Sequence, residues 1–214
     1  MRNRAKSSLI LRNSEIQVLP NPIDTDVFMP SKIDQIRSFR ESCGINEDAI
    51  VIAFGAMDGK KNPIKGFSLL EEAFDLLPDI LPTELLNKLV LLTFGGKKER
   101  KNHQNGLLEI SLGHIAIQEK IALLYSSSDI LVVPSLLESF GQVAAEALAC
   151  ETPVVCFDTS GLKDIVIHRE SGMVAHEKSA SCLSKSLVEM ISLSYCERLE
   201  MGKIGRLKMI EKFS

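Results

Sequence analysis

Short apolar runs punctuate the chain: AIVIAFGA at 49–56, LVLLTF at 89–94, ILVV at 130–133 and TPVVCF at 152–157. Runs of this length without polar alternation read as strands covered on both faces. Weaker strand candidates lie at Ile16 to Leu19, around Ile110 and Leu112, and at Gly172 to Val174. Between them the apolar positions take helical spacing. Phe67, Leu70, Ala73 and Leu76 or Leu77 share a face within 64–77, and Leu183, Leu187 and Ile191 share one within 180–191. Further helices are predicted over 32–42, 118–125, 140–150 and 195–212. Pro20-Asn21-Pro22 stops regular structure, and Ile23 and Phe28 are set to anchor the segment that follows. The polar stretch 97–106 reads as an exposed loop. Strand and helix alternating in this way predict an α/β fold with a parallel sheet and flanking helices.

The stretch from Ser126 to Phe157 concentrates the signal. It runs strand, loop, helix, strand, and it puts Glu138 in the loop and Glu146 inside an otherwise alanine-rich helix. Ligands of parallel α/β sheets bind beyond the carboxyl ends of the strands, where Glu138 and the helix start are expected. On a continuous helix the eight-residue spacing of the two glutamates would amount to a rise of about 12 Å. That suits two ends of an extended ligand better than a close carboxylate dyad. A carboxylate buried among Ala144, Ala145, Ala147 and Ala149 needs a partner.

Other residues carry chemistry by position. Ser139-Phe140-Gly141 opens a helix, whose free N–H groups and dipole suit a phosphate, although an ordinary strand-to-helix turn has the same residues. Lys65 precedes Gly66 at another helix start, from where it can reach phosphate oxygens or lie in solvent. Lys60 and Lys61 sit in a polar loop. His114 follows a glycine at a strand end, and Asp129 and Asp164 are candidates for bonds to backbone amides. No G-x-G-x-x-G follows a strand and no G-x-x-x-x-G-K-[ST] occurs, so the usual dinucleotide and P-loop signatures are absent.

Composition narrows the class. The chain has 214 residues, 45% hydrophobic and 25% charged, with a formal net charge of -3. This supports a folded core and argues against nucleic acid as a partner. No apolar run approaches the roughly 20 residues that span a bilayer. The five cysteines and four histidines show no metal-ligand spacing. Their odd, unpaired distribution fits reduced thiols and a cytoplasmic location.

The quoted motifs together resemble the C-terminal, donor-binding domain of the GT-B retaining glycosyltransferases of family 4. The resemblance runs through VLPNPIDTDVF (18–28), FGAMDGKKNPIKGF (54–67), LLTFGG (91–96), LGHI (112–115), the long stretch 124–166 and SGMVA (171–175). Glu138 to Glu146, ESFGQVAAE, matches the family's E-x7-E motif. The fold this implies is a Rossmann-like parallel sheet with flanking helices, the C-terminal half of a GT-B fold.

The resemblance also implies a ligand and roles. The donor would be a UDP-, GDP- or ADP-sugar, used without a metal or other cofactor. Glu138 would approach the sugar and Glu146 the ribose hydroxyls. Backbone groups at Phe140, Gly141 and Gln142 would meet sugar and diphosphate, and Lys65 would bind phosphate. The family's partner arginine falls at Ala56, which leaves Lys60 or Lys61 to compensate. Residues 1–30 would be the interdomain crossover and domain start, 31–192 the donor-binding domain, and 193–214 a shortened terminal helix. The acceptor, a glycan or lipid-linked sugar, would bind through an N-terminal domain outside this chain, with any peripheral membrane association belonging to the full-length enzyme. The isolated chain is then expected to bind donor without efficient transfer. The alternative is a catalytically silent nucleotide-binding or interaction domain.

Overall fold

The apolar runs form strands β1 (Ile50–Gly55), β2 (Leu89–Phe94), β4 (Leu108–Leu112), β5 (Ile130–Val133), β6 (Val154–Phe157) and β7 (Gly172–Ala175), with β3 (Lys98–Asn102) at one edge. They pair in one seven-stranded sheet in the order β3-β4-β2-β1-β5-β6-β7. All neighbouring pairs are parallel except β3 with β4. The structure is a computed structural model that describes residues 6–17, 19–55, 59–159 and 161–214.

Alternation along each strand divides the core into two layers. Val51, Ala53, Val90, Leu92, Leu131, Val133 and Val154 face one side. There they meet α4 (Gln118–Ser126), α5 (Gln142–Ala149) and α8 (Tyr195–Phe213). Ile50, Ile52, Leu91, Ile130, Val132 and Val155 face the other, under α2 (Phe67–Asp75) and α7 (Ala180–Ser192). The central strands are therefore apolar on both faces, as their unbroken runs predict. Helix α1 (Ile33–Ser42) and the one-turn helices α3 (Thr83–Leu86) and α6 (Leu162–Ile165) lie among the described residues as well.

Two expectations are corrected. The stretch 97–106 is not simply a loop: Lys98–Asn102 pairs antiparallel with β4 and leaves five exposed residues on the sheet edge. Polarity alone suggested a loop, but an edge strand stays solvated on the far side, and its charges discourage pairing with another chain. The strand expected at Ile16 to Leu19 does not form; Ile16, Gln17 and Leu19 pair with no strand, and Val18 lies outside the described residues. The anchors in the next segment do hold. Ile23 and Phe28 are buried, and Ile23 donates its N–H to the Phe213 carbonyl at the end of α8 at 2.6 Å.

Helix α8 begins with a capping box in which Ser194 and Glu197 satisfy each other's backbone N–H. Its glycines bring it hard against α5. A Cβ on Gly202 would stand 1.9 Å from the Glu151 carbonyl oxygen. Alanine is worth about 1 kcal/mol more than glycine in a helix interior, but forcing a methyl against backbone costs about 1–3 kcal/mol. Gly202→Ala is accordingly expected to lower stability, measured by urea unfolding; a stabilised variant would show that α8 is free to move outward.

Candidate active site

The strand order reverses between β1 and β5: β2 and β4 extend from one side of β1, β6 and β7 from the other side of β5. Loops leaving the carboxyl ends of these two strands diverge and open a crevice, the usual ligand position of such sheets. Lys65 follows β1 and Glu138 follows β5, and because β1 and β5 are neighbours in the sheet their connections start side by side before they diverge.

Their side chains meet. Lys65 Nζ donates to Glu138 Oε2 at 2.8 Å, with 29% and 15% of the two side chains exposed. The backbone holds them in place. Lys65 ends a 3₁₀ turn, Pro63–Lys65, in which the Asn62 side chain accepts from the Ile64 N–H and the Asn62 carbonyl from the Lys65 N–H. Leu136 donates its N–H to the Ile64 carbonyl at 2.8 Å, and Lys178 Nζ donates to the Leu136 carbonyl at 2.5 Å. Gly66 then starts α2 at φ +69°, where a Cβ would lie 1.9 Å from the Pro134 oxygen. Only glycine fits this close crossing. The helix predicted from Ile64 starts at Phe67 for the same reason.

Glu138 leads directly into the start of α5. Gly141 caps that helix at φ +101° and has no side chain to offer the first-turn N–H groups. A Cβ there would stand 2.7 Å from Leu162 Cδ2. The Glu138 carbonyl accepts from Gly161 N–H at 3.1 Å, which seats the loop on the turn after β6. Phe140 sends its ring edge-on to Phe213, with centroids 5.6 Å apart, so only its backbone is left to serve the site. Gln142 is exposed on the first turn.

Glu146 lies one turn further along α5. Tyr125 on α4 donates its hydroxyl to Glu146 Oε2, and Gln142 donates its side-chain N–H to Oε1, both at 3.2 Å. Burial pushes the Glu146 carboxyl above its ordinary range, and the two neutral donors offset this only in part.

A cleft of 720 Å³ opens at the ends of β1 and β2, lined in part by Lys60, Lys61, Thr93, Gly95, Gly96 and Lys97; none of Lys65, Glu138 and Glu146 lines it. Lys60 is engaged there: its ammonium bonds Glu109 and stands 4.8 Å from the centroid of the Phe67 ring. Glu109 is buried on β4 and also accepts from Thr93 at 3.1 Å and His103 at 2.9 Å. Burial alone would raise its carboxyl, but the bonds from Lys60 and His103, with the Lys60 charge and the Thr93 hydroxyl, bring it below the ordinary value. Ala56 lies outside the described residues. His114 is exposed after β4. Asp129 is structural, accepting from Val51 N–H and Arg40 Nη2, each at 2.8 Å. Asp164 is exposed on α6. Among the described residues no three His, Cys, Asp or Glu side chains gather where they could hold a metal.

The family model for glycosyl transferases group 1 matches residues 35–208. The chain belongs to this family. It is a glycosyltransferase domain, and its fold agrees with that of solved relatives. A D-inositol 3-phosphate glycosyltransferase from Xylanimonas cellulosilytica is 32% identical over 172 residues, covering 74% of this chain and 39% of that protein. The chain thus spans well under half of that relative. HepE from Anabaena, solved with UDP and glucose, superposes with a TM-score of 0.74 at 19% identity, over 92% of this chain and 53% of its own. The C-terminal domain of a group 1 glycosyl transferase from Francisella tularensis gives 0.69 at 22% identity, over 90% of this chain and 98% of that one. No helix of the described residues is long and apolar enough to cross a membrane.

Two features of this glycosyltransferase domain escape sequence reading. Tyr125 ends a helix whose apolar positions suggest only packing. The signal for it was present, since a buried tyrosine and a buried glutamate each need a hydrogen-bond partner. Glu109 in LEISL similarly interrupts an apolar strand. The environment of Glu146 has a consequence for stability. A carboxyl raised in the folded state destabilises that state while ionised, and the cost disappears as pH falls through the folded value. Glu146→Gln is expected to raise the thermal midpoint at pH 8, with the gain shrinking as pH approaches 4. A variant less stable than wild type at pH 8 would refute this.

Proposed function

We propose that the chain is the donor-binding half of a retaining glycosyltransferase that takes its sugar from a nucleotide diphosphate sugar. The observation that carries this is the Lys65–Glu138 pair across the strand reversal, beside a helix start with no side-chain cap. The ammonium and the first-turn N–H groups converge on the place where a diphosphate fits. Gly141 leaves the backbone bare there, and the backbones of Phe140 and Gln142 complete the approach. Glu138 faces the sugar, and Glu146 accepts from the ribose hydroxyls.

Transfer breaks the bond between the sugar carbon and the phosphate oxygen. Negative charge grows on the leaving diphosphate while the sugar takes on oxocarbenium character. Lys65 and the helix start stabilise the former. The acceptor hydroxyl attacks the same sugar face, without a protein nucleophile, and gives its proton to the departing phosphate oxygen. HepE binds UDP, which makes UDP the leading candidate beside GDP and ADP.

The domain assignment follows the same reading: residues 1–30 as crossover and start, 31–192 as the donor domain, 193–214 as its terminal helix. Coverage of 98% of a solved C-terminal domain supports it. The acceptor, a glycan or lipid-linked sugar, then binds through another domain, and membrane association belongs to the full-length enzyme. We place the protein in the cytoplasm. A second reading, a nucleotide-binding domain without transfer, is favoured by the engagement of Lys60 with Glu109.

Calorimetry with UDP, GDP and ADP tests the reading. One of them is expected to bind, and Lys65→Ala to weaken it by about 10–100-fold, the loss of a charge-assisted hydrogen bond. No heat with any of the three would overturn the donor assignment, and an unchanged affinity in Lys65→Ala would remove the role of that lysine.

A further inference from the structure

We propose that Tyr125 is a positioning residue for the donor's ribose, holding one oxygen of Glu146 so that the other is presented to the ligand. This rests on the ribose role assigned to Glu146 above. The two oxygens of that carboxylate have unlike partners. Oε2 accepts from Tyr125, which is fully buried; Oε1 accepts from Gln142, which is exposed at the helix start. The buried donor stays in place when a ligand enters. The exposed amide is the one that ribose hydroxyls can replace.

The Tyr125 ring is clamped so that its hydroxyl has little freedom. Phe94 packs against it edge-on at 5.8 Å between centroids, and Phe28 lies at 6.4 Å on a tilted plane. The ring thereby links the donor site to the end of β2 and to the segment before α1. The phenol cannot act as a base, because burial, followed by the nearby Glu146 charge and the bond to it, pushes its pKa well above the ordinary value. It remains a donor throughout the neutral range, and this fixes the direction of the Glu146–Tyr125 bond.

Neighbouring charges leave this arrangement intact. Cys150, just past the end of α5, is pushed up to about 12 by burial and stays neutral. On α8, Arg206 donates to the carbonyls of Phe28 and Ala149, and Lys208 donates to Ile165. On α6, Lys163 pairs with Asp158 at 3.0 Å, while Asp164 is exposed. Loss of the Tyr125 hydroxyl therefore removes one of the two bonds that favour the ionised Glu146 without adding a charge. The carboxyl then holds its proton to higher pH, and a protonated carboxyl is the poorer acceptor for ribose.

The test measures binding of UDP, GDP and ADP, each beside its 2′,3′-dideoxy form, to wild type and Tyr125→Phe between pH 5 and 8. Wild type is expected to favour the ribose form of its nucleotide by about tenfold or more. In Tyr125→Phe the preference falls below about threefold, and the acid limb of binding moves to higher pH. In Tyr125→Phe/Glu146→Gln the preference equals that of Glu146→Gln alone. An undiminished preference in Tyr125→Phe overturns the proposal while leaving the donor reading standing; absence of binding by wild type defeats both. Should Tyr125→Phe not fold, the chain's two tyrosines allow 3-fluorotyrosine labelling with the hydroxyl kept. The buried fluorine signal is expected to move with the ribose nucleotide and not with its dideoxy form. Equal movement with both would refute the proposal.

Discussion

A parallel sheet whose strand order reverses must leave a gap at the carboxyl end of the reversal, because the connections on its two sides depart in opposite directions. The rest of this molecule is arranged around that gap. The strands beside it, β1 and β5, are apolar on both faces, so neither can be displaced without opening two layers of core. Gly66 lets the connection after β1 cross the backbone at Pro134 in contact, and the bond from Leu136 to Ile64 ties the two connections together. The backbone fixed by these constraints sets Lys65 and Glu138 within hydrogen-bond reach of each other.

Three carboxylates off the surface show how environment separates structure from function. Asp129 accepts from a backbone N–H and a guanidinium, which ties α1 to the amino end of β1. Glu109 is buried under bonds from Lys60, His103 and Thr93, and its charge is well satisfied. Glu146 has only two neutral donors, and its carboxyl is raised. A structural carboxylate is surrounded until its charge is favourable. The demand left unmet at Glu146 fits the ligand role proposed for it, and the folded state bears that cost.

Much of this was legible in order of length and repetition. The unbroken runs at 89–94 and 130–133 specified buried parallel strands to the residue. Helical spacing found α7 and α8 within about a turn. Lys98–Asn102 was not legible, because an exposed charged strand has no apolar signature and takes its conformation from β4. The shortened start of α2 was equally hidden, since it depends on Pro134, distant in sequence. At the site, the resemblance named Lys65, Glu138, Gly141 and Glu146, and the structure brings Lys65 to Glu138. It could not supply Tyr125 or the engagement of Lys60, which depend on packing between α4 and α5 and between β4 and the loop after β1.

The ion pair at the centre need not be an obstacle to an anionic ligand. A lysine ammonium has three N–H donors, and Glu138 takes one of them at 2.8 Å. A phosphate can use the others while the carboxylate keeps the side chain extended toward the crevice. Ordering a lysine on binding ordinarily costs about 0.5–1.5 kcal/mol for a side chain of this kind. Here that ordering is already made in the folded chain, and the same bond holds Glu138 beside the helix start. On the donor-binding reading proposed above, the pair keeps the ammonium in position for the diphosphate, beside a first turn of α5 that has no side-chain cap at Gly141.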